Sequence, residues 1–206
     1  MTANKLEFIR KTRPKLKAGN VFYYRINNKV YFGLVFITKA EYDYVGIAFI
    51  VVLPNYAAQQ PSDFSPETLI ETIQKGDLLA PPTNINQRAW TMGYFNVIDH
   101  IDLSSIPILD TYRMNHSGFL YDRWGKMLFD LRYDVHTPDI PNILFLGDMG
   151  IYAHEGIEYL IQLGLGLDYD AREKPYDFYE SYPKNFSEED LPYWYFNSIG
   201  KPLVKP

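Results

Sequence analysis

Asn20 to Ile26 alternates apolar and polar positions and is rich in aromatic residues, and after Asn27-Asn28 a second run of strand formers extends from Val30 to Thr38. A short polar pair that tolerates positive φ between two such runs predicts a β-hairpin. Tyr44 to Leu53 is a continuous β-branched and aromatic run closed by Pro54, the pattern of a buried third strand in the same sheet. Gly33 and Gly46 fall inside these strands, where glycine usually marks a bulge or a tight bend of a sheet curling toward a barrel. The period then changes. Ser65-Pro66 reads as an N-cap followed by proline at the first helical position, and Leu69, Ile70 and Ile73 share one helical face before Gly76.

Leu78 to Ala80 reads as a strand stopped by Pro81-Pro82, and after a long polar loop Tyr94 to Ile101 reads as another, with Trp90 and Tyr94 placed to cover the sheet. Pro107 to Tyr112, Gly118 to Asp122 and Met127 to Leu131 are further expected strands, the last two joined by a turn at Arg123-Trp124-Gly125-Lys126. Beyond residue 135 the character shifts. Pro138 to Pro141 reads as a linker, Ile143 to Leu146 as a short buried strand, and Ile151 to Leu163 as an amphipathic helix stopped by Gly164 and Gly166. From Leu167 onward the chain is acidic, aromatic and punctuated by proline, with a helical turn expected at Ser187 to Leu191. These patterns predict an α+β fold: a strongly bent antiparallel β-sheet or SH3-like partial barrel with a few short helices. Residues 1–135 form the β-rich domain, and 136–206 form a helical and acidic-aromatic extension packed on it.

Composition narrows the chemistry more than the fold. The 206 residues include 18 Tyr and no Cys, which excludes disulfides, thiolate zinc sites and cysteine nucleophiles. The basic start, with Lys5, Arg10, Lys11, Arg13, Lys15 and Lys17, has no apolar signal-like stretch behind it, and no segment is long and apolar enough to cross a bilayer. Cytoplasmic residence, with no membrane association, is the default expectation. A formal net charge of −5 weighs against a nucleic-acid partner, because phosphate contacts need a concentrated basic face.

Few residues suggest catalysis. His154 and Glu158 would share a helix face as i and i+4 and could offer metal ligands, but a second histidine and a third ligand are missing, and a polar helix face explains them as well. Asp99, His100 and Asp102 read as strand-end polarity rather than a triad, Asp148 as a helix N-cap, and Asp134 and Asp139 as loop residues; His116 and His136 are dispersed. Trp90 and Trp124 border strands and are expected in the core, whereas Trp194 would pack the tail on the domain. The sequence therefore calls for no catalytic residue, metal or cofactor. The stronger candidate is a partner-binding segment, Asp168, Asp170, Tyr176, Asp177, Tyr179, Glu180 and Tyr182, where carboxylates can steer a basic partner and the rings supply contact area. A solvated, loosely held tail has the same composition.

Gly19, Val21 and Phe22, then Tyr31-Phe32-Gly33, then Pro82 and Trp90 followed by Gly93-Tyr94-Phe95 resemble the immunity protein 26 family over roughly Lys15 to Asp130. Where that family commonly has Gly-Asp-Val-Phe, this chain has Gly19-Asn20-Val21-Phe22. The resemblance implies a bent β-sheet with few helices and a role in neutralising a cognate toxin of a bacterial polymorphic or contact-dependent system by stoichiometric binding, without enzymatic activity. A toxin that is a nuclease with a basic cleft would suit the acidic segment as a phosphate mimic. Two other classes stay open. Some members of that family carry a phosphotriesterase label, which implies a metal-dependent hydrolase. The Gly-x-Val-Phe opening also resembles PemK-type RNA-binding barrels, for which Arg88 and Arg113 would be the site arginines.

Overall fold

A computed structural model of the chain describes residues 4–38, 49–111, 113–116, 119–122, 127–130 and 146–167. β1 (Asn20–Ile26) and β2 (Lys29–Ile37) form the expected hairpin, paired in unbroken register from Val21 opposite Leu34 to Ile26 opposite Lys29. Asn27 and Asn28 both take positive φ, 51° and 61°, the two-residue turn whose twist matches the flanking strands. β3 (Phe49–Pro54) pairs antiparallel with β2; residues 44–48 of the expected strand lie outside the described residues. The two-residue β4 (Ala57–Ala58) adds to β2. Ser65 caps α1 (Pro66–Gln74) by accepting a hydrogen bond from the Thr68 N–H at 3.1 Å, and Leu69 and Ile73 bury the expected face.

Pro81-Pro82 does not stop the next strand. β5 (Leu78–Ile85) runs through both prolines. The pairing with β3 shifts register there, between Val51 opposite Thr83 and Leu53 opposite Ala80, while the other neighbour pairs only from Thr83 onward. The missing N–H groups therefore fall in a bulge, where no ladder bond depends on them. The supposed long loop after the prolines holds the end of β5 and a short helix, α2 (Arg88–Thr91), before β6 (Asn96–His100). Of the expected strand Pro107 to Tyr112, Pro107–Thr111 is instead 3₁₀, following a 3₁₀ turn at Leu103–Ser105, and Tyr112 lies outside the described residues. Ile106 and Leu109 are both buried, and a three-residue turn puts such a pair on one side, which an extended chain cannot do.

β7 (Arg113–His116), β8 (Phe119–Asp122) and β9 (Met127–Asp130) form an antiparallel run; the expected turn containing Trp124 lies outside the described residues. β10 (Leu146–Tyr152) includes the last residue of the expected short strand, whose residues 143–145 lie outside the described residues. It takes Asp148, Ile151 and Tyr152 into the sheet opposite Thr83, Asn84 and Ile85. Asp148 is therefore a strand residue rather than a helix cap, and α3 (His154–Gly164) begins three residues later than the apolar pattern implied. Its end follows the sequence: the Gly166 N–H reaches Leu163 O and the Leu167 N–H reaches Gln162 O, the paired bonds of a glycine-closed helix.

The sheet order is β6-β1-β2-β3-β5-β10-β7-β8-β9, with β4 on β2. The fold is α+β, with few helices on one open sheet, as the sequence patterns predict. It is mixed rather than purely antiparallel, because β10 runs parallel to both β5 and β7. Register shifts in the β1/β6, β2/β3, β3/β5, β5/β10 and β8/β9 ladders each bend and twist the strands locally. No helix among the described residues is long and apolar enough to cross a membrane.

Candidate functional site

Strand pairing sorts the aromatic residues by face. Phe22 lies opposite Gly33 and Tyr24 opposite Tyr31, so these four share one side of the hairpin, and Phe32 points to the other. On the first side Phe22 stacks on Phe95 (centroids 4.6 Å apart) and meets Trp90 edge-on at 5.2 Å, while Trp90 meets Phe95 edge-on at 5.3 Å. Phe22, Tyr24, Trp90 and Phe95 are all fully buried; burial, with Tyr31 nearby, pushes the Tyr24 phenol well above its ordinary value. On the second side Phe32 packs on Tyr56 and Phe64, each 5.2 Å away. Gly33 interrupts no ladder. A Cβ there would overlap the Phe22 ring, so the glycine makes room for an aromatic ring and marks no bulge.

The chain preceding β1 is tied to this core along its length. The Ile9 and Arg10 N–H groups donate to Gly93 O at 2.7 and 3.2 Å, the Thr12 N–H donates to Trp90 O at 3.1 Å, and Gln87 Nε2 donates to Pro14 O at 2.7 Å. Gly93 has φ of +99°, and the Phe8 ring occupies the space a Cβ would need. The hairpin turn holds the same segment, because the Asn28 N–H donates to Glu7 Oε1 at 2.6 Å and Asn27 Nδ2 to Asn4 Oδ1 at 3.0 Å.

α3 holds it from a third direction. The spacing His154, Glu158, Gln162 places all three on one helical face, as expected for the first two. That face is not simply a polar surface. The Leu6 N–H donates to Glu158 Oε2 at 2.6 Å, Gln162 Nε2 donates to Asn4 O at 2.5 Å, and the His154 ring stacks on Tyr94 at 5.1 Å. The Glu155 carboxylate comes within 3.0 Å of His154 Nδ1 but without hydrogen-bond geometry, so the contact is electrostatic and depends on a protonated ring. Glu158 thus anchors the N-terminal arm. Among the described residues no three His, Asp or Glu side chains are grouped to hold a metal ion.

No family model, curated protein or solved structure matches this chain. Its functional reading therefore rests on its own residues.

Asp102 spends its carboxylate locally. It accepts from the Ser104 hydroxyl at 2.7 Å and the Ser104 N–H at 3.0 Å, and these bonds hold it below the ordinary carboxyl value. The neighbouring His100 is exposed, with Nδ1 3.5 Å from Asn20 Nδ2. This is strand-end polarity, the reading the sequence favoured. Arg88 and Arg113 are not brought together: Arg88 follows the Ile85–Tyr152 end of the β5/β10 pair, and Arg113 pairs with Leu146 at the other end of β10. Six residues of strand separate those ends by about 20 Å. Asp168, Asp170, Tyr176, Asp177, Tyr179, Glu180 and Tyr182 lie outside the described residues, as do Asp134, Asp139, His136 and Trp194.

What the sequence reading missed is the ordered N-terminal arm. Its signal was present as alternation: Lys11, Arg13, Lys15 and Lys17 are exposed, whereas Thr12, Pro14 and Leu16 between them turn inward.

Proposed function

We propose that this chain is an immunity protein that neutralises a cognate bacterial toxin by stoichiometric binding, without catalysis. The observation that supports the reading is the convergence of four residues behind the family resemblance: Phe22, Gly33, Trp90 and Phe95, scattered over more than seventy positions of the sequence, meet in one packed cluster. Residues that determine a shared fold are expected to meet in this way. They carry the fold, and the partner surface must lie elsewhere. Our candidate for that surface is the acidic-aromatic segment, Asp168, Asp170, Tyr176, Asp177, Tyr179, Glu180 and Tyr182, facing a basic cleft in a nuclease toxin.

The test is capture with the full chain as bait against secreted and surface polypeptides of its own strain, followed by assay of the captured protein's toxicity with and without bait. Recovery of one toxin polypeptide in near-equal amount, inhibited by the bait, is the expected result. Replacing Asp170, Asp177 and Glu180 together by Ala should then slow association and flatten its salt dependence. A captured toxin that stays active in the complex, or no toxin at all, sinks the proposal.

A further inference from the structure

We propose that the N-terminal arm is a binding site for single-stranded nucleic acid, an inference independent of the immunity reading. The arm is a fixed template: backbone or side-chain bonds tie it to the hairpin turn, to α2 and to α3 at Asn4, Leu6, Glu7, Ile9, Arg10, Thr12 and Pro14. With the inward positions held, Lys11, Arg13, Lys15 and Lys17 project outward from one side. Arg88 joins them, since it is exposed between Gln87, which bonds Pro14 O, and Trp90, which bonds the Thr12 N–H. None of these five cations is in an ion pair among the described residues. In contrast, the carboxylates bordering the arm, Glu7 and Glu158, accept backbone hydrogen bonds.

Spacing favours a phosphate backbone. Alternate residues of an extended chain repeat every 6–7 Å or so, and consecutive phosphates of one nucleic-acid strand lie about as far apart along its sugar-phosphate backbone. Composition favours nucleic acid over an acidic protein. Protein interfaces are depleted of lysine, whereas the outward row here is three lysines and one arginine. Phe8, 64% exposed within the same arm, offers the flat apolar face on which a base stacks. The net charge of −5 is no obstacle. Asp168 to Asp190 holds eight acids against three bases and accounts for all of it, whereas Asn4 to Gly19 holds six bases against one acid. Screening confines each field to about 10 Å at ordinary ionic strength.

The test is fluorescence anisotropy of a labelled oligodeoxythymidylate of about 12 nucleotides, long enough to cover the arm from Lys5 to Lys17 with nucleotides to spare. Affinity is read against salt, with circular dichroism confirming that each variant is folded. Five phosphate contacts give a slope of log affinity on log salt near −3.5 or so, and K11Q/R13Q/K15Q should bring it to about −1.4 with at least a roughly tenfold loss at low salt. Phe8→Leu, which keeps apolar bulk but loses the ring face, should weaken binding about fivefold and leave the slope unchanged. Absence of binding at low salt, or a slope the triple variant does not change, overturns the proposal. Equal affinity for oligoglutamate with no effect of Phe8→Leu overturns it too, reassigning the arm to an acidic polypeptide.

Discussion

The contact between Phe22 and Gly33 makes a prediction that no single substitution can test. Phe22→Ala removes a fully buried ring that stacks on Phe95 and abuts Trp90, and such truncations cost about 3–5 kcal/mol. Gly33→Ala forces a methyl group into the Phe22 ring, an overpacking cost of about 1–3 kcal/mol, offset by about 0.5–1 kcal/mol because alanine is less flexible than glycine in a strand. In the double variant the ring is gone, the methyl meets no obstacle and fills part of the void. Only the gain from alanine then remains, so the pair should cost less than Phe22→Ala alone. The coupling between the two sites comes to about 2 kcal/mol in the favourable direction, well above the additivity error of about 0.5 kcal/mol for independent sites. Urea unfolding of the wild type, both single variants and the double, followed by circular dichroism, measures it. Additive losses would show that Gly33 is glycine for some reason other than the ring it faces.

Three further outcomes follow from the site geometry. Glu158→Ala should release the start of the arm: we expect faster tryptic cleavage after Lys5 with a stability loss of about 1–2 kcal/mol, because a charge-assisted bond to the Leu6 N–H is lost at a half-buried position; cleavage at the wild-type rate would refute the anchoring role. Ser65→Ala removes the acceptor of the Thr68 N–H and should cost about 1 kcal/mol in thermal or urea unfolding, with Ser65→Asp restoring most of it. Asp102 is held below its ordinary value of 3.8 by Ser104, so its charge stabilises the fold above that pH and the effect is lost as pH falls through the lower folded-state value. The melting-temperature advantage of wild type over Asp102→Asn should accordingly be present near neutrality and vanish in acid, and a difference independent of pH would contradict it.

Local chemistry was legible where one rule decided the outcome. Asn27-Asn28 had to turn, Ser65-Pro66 had to start a helix, and the two strands of the hairpin had no competing pattern. The misreadings share a cause, which is that each local rule met a partner the sequence does not display. Pro81-Pro82 breaks a ladder only where a neighbour needs its N–H, and here the β3 register shifts at that place while β10 begins to pair only at Thr83. Ile151 and Tyr152 continue a helical pattern, yet β5 takes them as strand, and that pairing depends on a parallel neighbour from more than sixty residues earlier. His154 and Glu158 show the same limit at the site. Their i, i+4 spacing placed them on one face, as read, but what the face does was fixed by Leu6 and Tyr94, which no spacing rule links to α3. The basic arm is the converse case. Its charge was plain in the composition, while its meaning depends on the backbone bonds to Gly93 and Trp90 that set Lys11, Arg13, Lys15 and Lys17 in a row with one outward side. A basic segment free in solution could present its charge in any direction and would lose entropy on meeting a partner. Pinned by seven of its own residues, this one has met that cost within its own fold, and so the arm, more than the net charge, is the feature on which a functional assay should begin.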